Sequence, residues 1–258
     1  MVIAQGATAV VMSLLVLATG PDLSGLPDVV PWLIPNAFLA ALGFATLYRG
    51  LELGPIAVVS PVLATYAVIP VVLSVVLLGE SLGAVAVAGV TITIAGAVLT
   101  STDLRALRAG THSKPAGLPW AIVSTLAFGV ATYILGWAAQ EAGVLPSLWF
   151  AKLSMAVVLV GAAAFAWWRG RPHQHDRPPL ARSALRLAIV VGLVELLGTI
   201  SYARGSEVGL VSIVTAASAT YPLIPVIGGV ALFHERPAPT QYVGVAMVIG
   251  GLIALALA

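Results

Sequence analysis

Glu195 stands in the middle of a long apolar run, where a charged side chain is costly. A charge at the centre of a bilayer costs about 2.5–3.5 kcal/mol on insertion scales, so such a residue usually faces a cavity or a partner. Glu195 is therefore a candidate proton carrier or counter-charge for a cationic substrate, and the alternative is a protonated carboxyl group hydrogen-bonded within a helix bundle. Lys152, inside another apolar run, is either a side chain that snorkels to the interface or the ion-pair partner of Glu195.

Two tyrosines share a second pattern, because each precedes a proline by four residues. Tyr66 is followed by Pro70 and Tyr221 by Pro225. A proline removes the hydrogen bond to the carbonyl four residues earlier, which here belongs to the tyrosine. The pattern predicts a phenol and a free carbonyl at mid-membrane depth, beside a kinked helix of the kind that forms transporter sites. The alternative is a structural kink satisfied by nearby threonines or water. Tyr133 is a further candidate for lining a cavity.

Composition requires that these residues sit in membrane-spanning helices. The chain has 258 residues, of which 60% are apolar and 9% are charged, and a soluble domain of this size needs more charge. A spanning helix needs about 20 apolar residues. Nine runs qualify: 2–19, 30–48, 55–78, 82–100, 118–138, 147–168, 186–203, 210–233 and 238–257. The sequence thus predicts an all-α polytopic transmembrane bundle whose short connections, such as 49–54 and 79–81, make antiparallel hairpins.

The chain repeats itself internally. Residues 43–99 align without a gap on residues 198–254, with about a third of positions identical. The first run aligns on 147–168 at a different offset, so Lys152 falls opposite Gln5, whereas Ala40 is the counterpart of Glu195. A two-fold repeat in an apolar chain is typical of secondary transporters. We therefore predict a first repeat over residues 1–100, a loop over 101–117 and a second repeat over 118–258.

The repeat also predicts roles for several turn and packing residues. Glu80 and its counterpart Glu235 lie in short turns, where each is predicted to cap the helix that follows. Glycines seven residues apart share one helix face and predict close helix packing. These are Gly89 and Gly96 in the first copy, and Gly244 and Gly251 in the second.

The two repeats are unequal, because nothing in the first corresponds to the run at 118–138. The expected architecture is four helices plus five, either because a start codon lies upstream or because this is a nine-helix variant. Arginines concentrate in the two long loops, 101–117 and 169–182, which an even number of helices separates. Basic loops face the cytoplasm, so we expect an inner-membrane protein with a cytoplasmic Met1 and an external C-terminus.

The motifs of both copies resemble the EamA domain of the drug/metabolite transporter superfamily. The resemblance rests on the stretch from Glu52 through Pro70 to the Leu78-Gly79-Glu80-Ser81-Leu82 turn, on the glycines of the next helix, and on the recurrence of these features in the second half. It covers nearly the whole chain. The resemblance implies a ten-helix fold of two inverted five-helix repeats and a secondary carrier or exporter of small metabolites or drugs.

The leading functional hypothesis is a permease that works by alternating access, with substrate near Tyr66, Tyr221, Glu195 and Tyr133 and possible proton coupling through Glu195. The alternatives are a flippase of an amphipathic or lipid-linked cargo, and a non-transporting membrane subunit that needs a partner or a second copy. An enzyme is not expected, because the spans lack a His-Glu-x-x-His motif, a Ser/His pairing and clustered carboxylates. Neither a cofactor, a metal nor a nucleic-acid partner is predicted: cysteine is absent, and the two histidines of the 169–182 loop have no third ligand nearby.

Overall fold

A computed structural model describes residues 2–54, 56–102, 116–169, 182–233 and 238–257. All regular structure within these ranges is helical. The helices are α1 (Val2–Thr19), α2 (Leu26–Leu53), α3 (Ile56–Ala64), α4 (Val68–Leu77), α5 (Ala84–Ser101), α6 (Leu118–Ala142), α7 (Val144–Trp168), α8 (Arg182–Val208), α9 (Val211–Ser218), α10 (Leu223–Phe233) and α11 (Pro239–Ala256). The histidines of the long loop, together with Glu235, lie outside the described residues.

Eight helical segments within the described ranges are long and apolar enough to cross a membrane. They correspond to eight of the nine runs in the sequence, and together they confirm the predicted fold class. The ninth run, 210–233, was predicted as one span, but it consists of α9 and α10, separated by a turn over residues 219–222. The run at 55–78 is likewise divided, here by a 3-10 turn at Thr65–Ala67 between α3 and α4.

Both breaks occur at the same place in the repeat, just before a proline. Pro70 is the third residue of α4 and Pro225 the third residue of α10. In the first turn of a helix a missing N–H costs nothing, because that donor has no intrahelical partner anyway. Each chain segment therefore ends one helix and begins another, so that the proline falls where it is tolerated.

Several helices extend beyond the predicted runs, and one predicted connection is itself helical. The segment at 49–54 was expected to be a turn, but α2 continues to Leu53, and an ion pair between Arg49 and Glu52, at 2.8 Å, lies on its last exposed turn. The turn at 79–81 is present as predicted. It begins at Gly79, whose φ of +67° favours glycine because a Cβ atom would clash in the left-handed region.

The helices form two compact units, and neither unit is one of the sequence repeats. Unit 1 consists of Met1–Ala41 and Ile134–Val208, and unit 2 of Leu42–Tyr133 and Gly209–Ala258. Each unit thus takes segments from both halves of the sequence, and α2 and α6 contribute residues to both units.

Unit 1 is built on contacts of α1 with α7 and α8. Its core contains buried residues from α1, α6, α7 and α8: Met12, Ala139, Val144, Leu148, Leu196 and Ala203. The side-chain N–H of Trp149 donates to the hydroxyl oxygen of Ser13 at 3.1 Å, so this tryptophan links α7 to α1.

Unit 2 is built on the pairing of α5 with α11. The predicted glycine packing is confirmed here: a Cβ atom placed on Gly244 would lie 2.7 Å from the Gly96 carbonyl oxygen, and one on Gly96 would lie 2.9 Å from the Gly244 carbonyl oxygen. Real side chains do not approach so closely, so glycine allows the two backbones to meet. The neighbouring core consists mostly of alanines: Ala67, Val90, Ile94, Ala97, Ala216 and Ala219.

Candidate functional site

Of the two alternatives for Lys152, the structure contains the ion pair with Glu195, which lies in unit 1. The Lys152 Nζ atom lies 2.7 Å from Glu195 Oε1 and 2.9 Å from Oε2. The Lys152 side chain is almost fully buried, with 8% of its surface exposed, so snorkelling does not describe it. Within the described residues its charge is therefore balanced inside the protein, which is what a span requires of a buried ammonium.

The position of the pair follows from the lengths of the two helices. Glu195 is the fourteenth of 27 residues in α8, so it lies at the helix midpoint. Lys152 is the ninth of 25 residues in α7, about 12 Å from its start at the usual helical rise. The pair is thus placed deep within the spans, away from the helix ends.

The two oxygens of the Glu195 carboxylate have different surroundings. Oε1 accepts from Lys152 and, at 3.0 Å, is also within hydrogen-bond distance of the Thr199 hydroxyl. That hydroxyl alternatively donates to the Glu195 carbonyl at 2.8 Å. Oε2 accepts from Lys152 at 2.9 Å. The Glu195 side chain is 34% exposed, so the carboxylate is more accessible than the ammonium that binds it.

The tyrosine pair lies in unit 2, at the two helix breaks. The rings of Tyr66 and Tyr221 have centroids 6.3 Å apart and planes inclined at 48°. Tyr66 lies in the 3-10 turn between α3 and α4, and Tyr221 lies in the turn between α9 and α10. Each tyrosine is the eleventh residue of its broken span, which places both phenols near mid-depth. Tyr221 has 36% of its surface exposed.

The prediction of a free carbonyl at each tyrosine is wrong. The Tyr66 carbonyl accepts from the Val68 N–H, and the Tyr221 carbonyl accepts from the Ile224 N–H at 3.1 Å. Tightening of the chain at the break brings an earlier donor within reach of the carbonyl that the proline leaves unpaired. Thr65 satisfies a further acceptor, since its hydroxyl donates to the Val62 carbonyl at 2.6 Å. The chemical groups presented at the breaks are therefore phenols rather than bare carbonyls.

Glu80 was expected to cap the helix that follows it, and this is also wrong. Its carboxylate accepts from the N–H groups of Val211, at 2.7 Å, and Ser212, at 3.1 Å, and also from the Ser212 hydroxyl. Those groups begin α9, which follows Glu80 by 131 residues. The helix after Glu80, α5, starts at Ala84, and its N-cap residue Gly83 provides no side-chain cap. Because the contact is so distant in sequence, only a packed structure reveals it.

Tyr133, the remaining predicted residue, lies in the part of α6 that belongs to unit 2. The structure thus places Glu195 and Lys152 together in unit 1, and the three tyrosines with Glu80 in unit 2. The sequence prediction did not include Glu80 among the site residues, and its motif offered no sign of the partner.

A multi-span helical bundle with mid-span charges and broken helices defines a polytopic integral membrane protein of the transporter class. The family model described as the EamA-like transporter family matches residues 1–102 and 115–257, so the chain belongs to this family. It is a membrane transporter of the drug/metabolite type, and two segments match one model, as the internal repeat requires.

One solved structure, described as a crystal structure of a protein, is similar to this chain with a TM-score of 0.74. The similarity covers 99% of this chain and 86% of that one at 19% sequence identity, and it therefore concerns the fold. A search of curated proteins finds no match.

Proposed function

We propose that this transporter is a secondary carrier of small metabolites or drugs that works by alternating access and is coupled through the Lys152–Glu195 pair. The observation that supports the proposal is the geometry of the pair: a buried ammonium bound by both oxygens of a more accessible carboxylate, at the midpoint of α8. Charges kept at this depth are usually functional, because a pair of apolar side chains would cost less.

The coupling step in this proposal is a competition for the Glu195 carboxylate. Protonation at Oε2, which lacks the Thr199 contact, weakens the hold on Lys152 and leaves a buried ammonium without a counter-charge. That state is unfavourable in a low-dielectric interior, so it favours a conformation in which Lys152 reaches water or another acceptor. A cationic substrate is the second candidate for the same role, because it would compete with Lys152 for the carboxylate.

The tyrosine pair is proposed as a substrate-contact region in unit 2. Two phenols whose rings lie 6.3 Å apart offer an aromatic surface together with hydrogen-bonding hydroxyls. Such groups bind flat or cationic small molecules through stacking and cation–π contacts. The helix breaks supply a place where the backbone can bend during a conformational change.

The experiment is flux into proteoliposomes under an imposed pH gradient, with pooled amino acids, nucleosides and cationic drugs. We expect Glu195→Gln to reduce pH-driven uptake to the level of protein-free vesicles while exchange of internal for external substrate remains measurable. Glu52→Gln is the matched control, since it removes a carboxylate from an exposed ion pair. Proton-driven flux that survives Glu195→Gln would contradict the coupling role, and no flux from folded wild type would contradict the carrier itself.

A further inference from the structure

Helix α9 begins without a cap of its own. Its N-cap residue is Leu210, which makes no side-chain hydrogen bond to the helix, and its first turn contains no acidic residue. A helix start leaves backbone N–H groups without partners and carries a partial positive charge. Glu80 fills this need from the α4–α5 turn, because its carboxylate accepts from two backbone N–H groups and one hydroxyl of α9. The cap of α9 therefore belongs to the other copy of the repeat.

Helices α4 and α9 are tied at both of their ends. They pack against each other, and the end of α4 meets the start of α9 through Glu80. At the opposite ends, Tyr66 just before α4 contacts Tyr221 just after α9. Beside that contact, Ala67 shares the core with Ala216 and Ala219. The two helices thus run antiparallel. Their lengths of ten and eight residues, about 15 and 12 Å, are similar enough for both pairs of helix ends to meet.

We propose that Glu80 is a positioning residue for transport: by capping α9 it sets the place of Tyr221 relative to Tyr66. This inference rests on the proposed role of the tyrosine pair in contacting substrate. The ends of α4 and α9 have two connections, the charged one made by Glu80 and the aromatic one between the tyrosines. Loss of the charged connection leaves α9 held by small side chains and the aromatic contact alone, so that Tyr221 is held less firmly in its position relative to Tyr66. Glu80 does not itself contact substrate in this scheme.

The first test measures the capping of α9 without any substrate. Deuterium uptake by peptides covering 210–218 reports on the capped N–H groups of α9. We expect Glu80→Ala, which removes the cap, to raise exchange there about fivefold, the usual effect of losing an N-cap. Glu80→Gln keeps one acceptor oxygen but loses the charge, and it should raise exchange by a smaller factor. Ser212→Ala removes one donor, keeps the carboxylate, and should raise exchange less than Glu80→Ala does. Glu52→Gln removes an equal charge from an exposed site of the same unit and should leave α9 unchanged. Unchanged exchange in both Glu80→Ala and Glu80→Gln would show that Glu80 is not the cap.

The second test measures the position of the tyrosines. The chain contains no cysteine, so Tyr66→Cys with Tyr221→Cys introduces a single pair of thiols. A short bifunctional thiol reagent should cross-link the pair quickly when Glu80 is present and several-fold more slowly in the Glu80→Gln background. Equal rates in both backgrounds would show that the cap does not control the tyrosine pair, and the proposal would be wrong.

The third test separates positioning from a purely structural role. In proteoliposomes made with folded Glu80→Gln protein, KM should rise more than the maximal rate falls, because a misplaced contact weakens binding of substrate before and during transport. A change in maximal rate alone would place Glu80 in the conformational step and overturn the proposal. If wild type transports nothing, the proposed carrier function is wrong. Deuterium exchange and thiol cross-linking still decide whether Glu80 caps α9 and sets the position of Tyr221.

Discussion

The Lys152–Glu195 pair allows a sharp prediction about stability. Three variants are compared with wild type: Lys152→Gln, Glu195→Gln and the double variant. Each single change leaves one charge in the span without its partner, whereas the double change removes both charges and keeps two amides of similar size. We expect both single variants to unfold more easily than the double variant. Removing one partner of a buried pair is costly, but replacing both is often nearly neutral.

The exposure of the two side chains sets the order of the single variants. In Glu195→Gln the orphaned group is an ammonium that is 8% exposed, and in Lys152→Gln it is a carboxylate that is 34% exposed. A charge without a partner can avoid the cost of burial by changing its protonation state. At pH 7 the neutral form lies about 4.6 kcal/mol above the charged form for an ordinary lysine and about 3.7 kcal/mol above it for an ordinary glutamate. The Thr199 hydroxyl reduces the second cost further. We expect losses of about 3–4 kcal/mol for Glu195→Gln and about 2 kcal/mol for Lys152→Gln.

The assay is reversible unfolding in bicelles or thermal denaturation in mild detergent. If the loss in the double variant equals the losses of the two single variants added together, the charges do not interact in the folded protein, and the reasoning fails.

Two further predictions follow from packing and from charge. Gly244→Ala should lower the free energy of unfolding by about 1–3 kcal/mol, because its Cβ would clash with the backbone of Thr100 and the Gly96 carbonyl. Gly250→Ala is the control and should be neutral or slightly stabilising, because no atom lies within 4 Å of the added Cβ. Equal denaturation midpoints for the two variants would contradict the close α5–α11 contact. We also propose, from the basic loops, that the C-terminus is external in the inner membrane. The test is a reporter, fused after Ala258, of a kind that works only in the cytoplasm. Activity of this reporter would contradict the external C-terminus.

Sequence predicted those features whose cause lies nearby in the chain. Apolar run length gave the spans, because a bilayer imposes a fixed thickness on every helix. Recurrence of Tyr66 and Pro70 at Tyr221 and Pro225 predicted two related bends. What the pattern could not show was that each bend becomes a full helix break, since that depends on whether neighbouring groups satisfy the backbone. Here the local turn does so, through Val68 and Ile224.

Long-range contacts were beyond the sequence for a different reason. The cap of α9 by Glu80 joins residues 131 positions apart, and nothing in a single sequence marks a carboxylate in one turn as the partner of a helix start elsewhere. A local rule, that a residue in a turn caps the next helix, gave the wrong helix. Lys152 and Glu195 were paired correctly as one of two alternatives, because charges within spans are rare and few partners exist.

The internal repeat divides the candidate chemistry into a symmetric part and an asymmetric part. The tyrosines and prolines at the breaks occur in both copies, so the geometry of the bends is a property of the repeat. The two charges occur in one copy only, because Ala40 is the counterpart of Glu195 and Gln5 is the counterpart of Lys152. A symmetric element can exchange two equivalent conformations at little cost, but it gives no preference for one direction. In the proposed mechanism, the ionisable pair present in one copy couples transport to the proton gradient, and that gradient sets the direction, because the protonation state of the pair changes the energy of one conformation and not of its mirror arrangement. We therefore expect substitutions at the tyrosines to alter substrate affinity, and substitutions at the pair to alter the dependence of transport on the pH gradient.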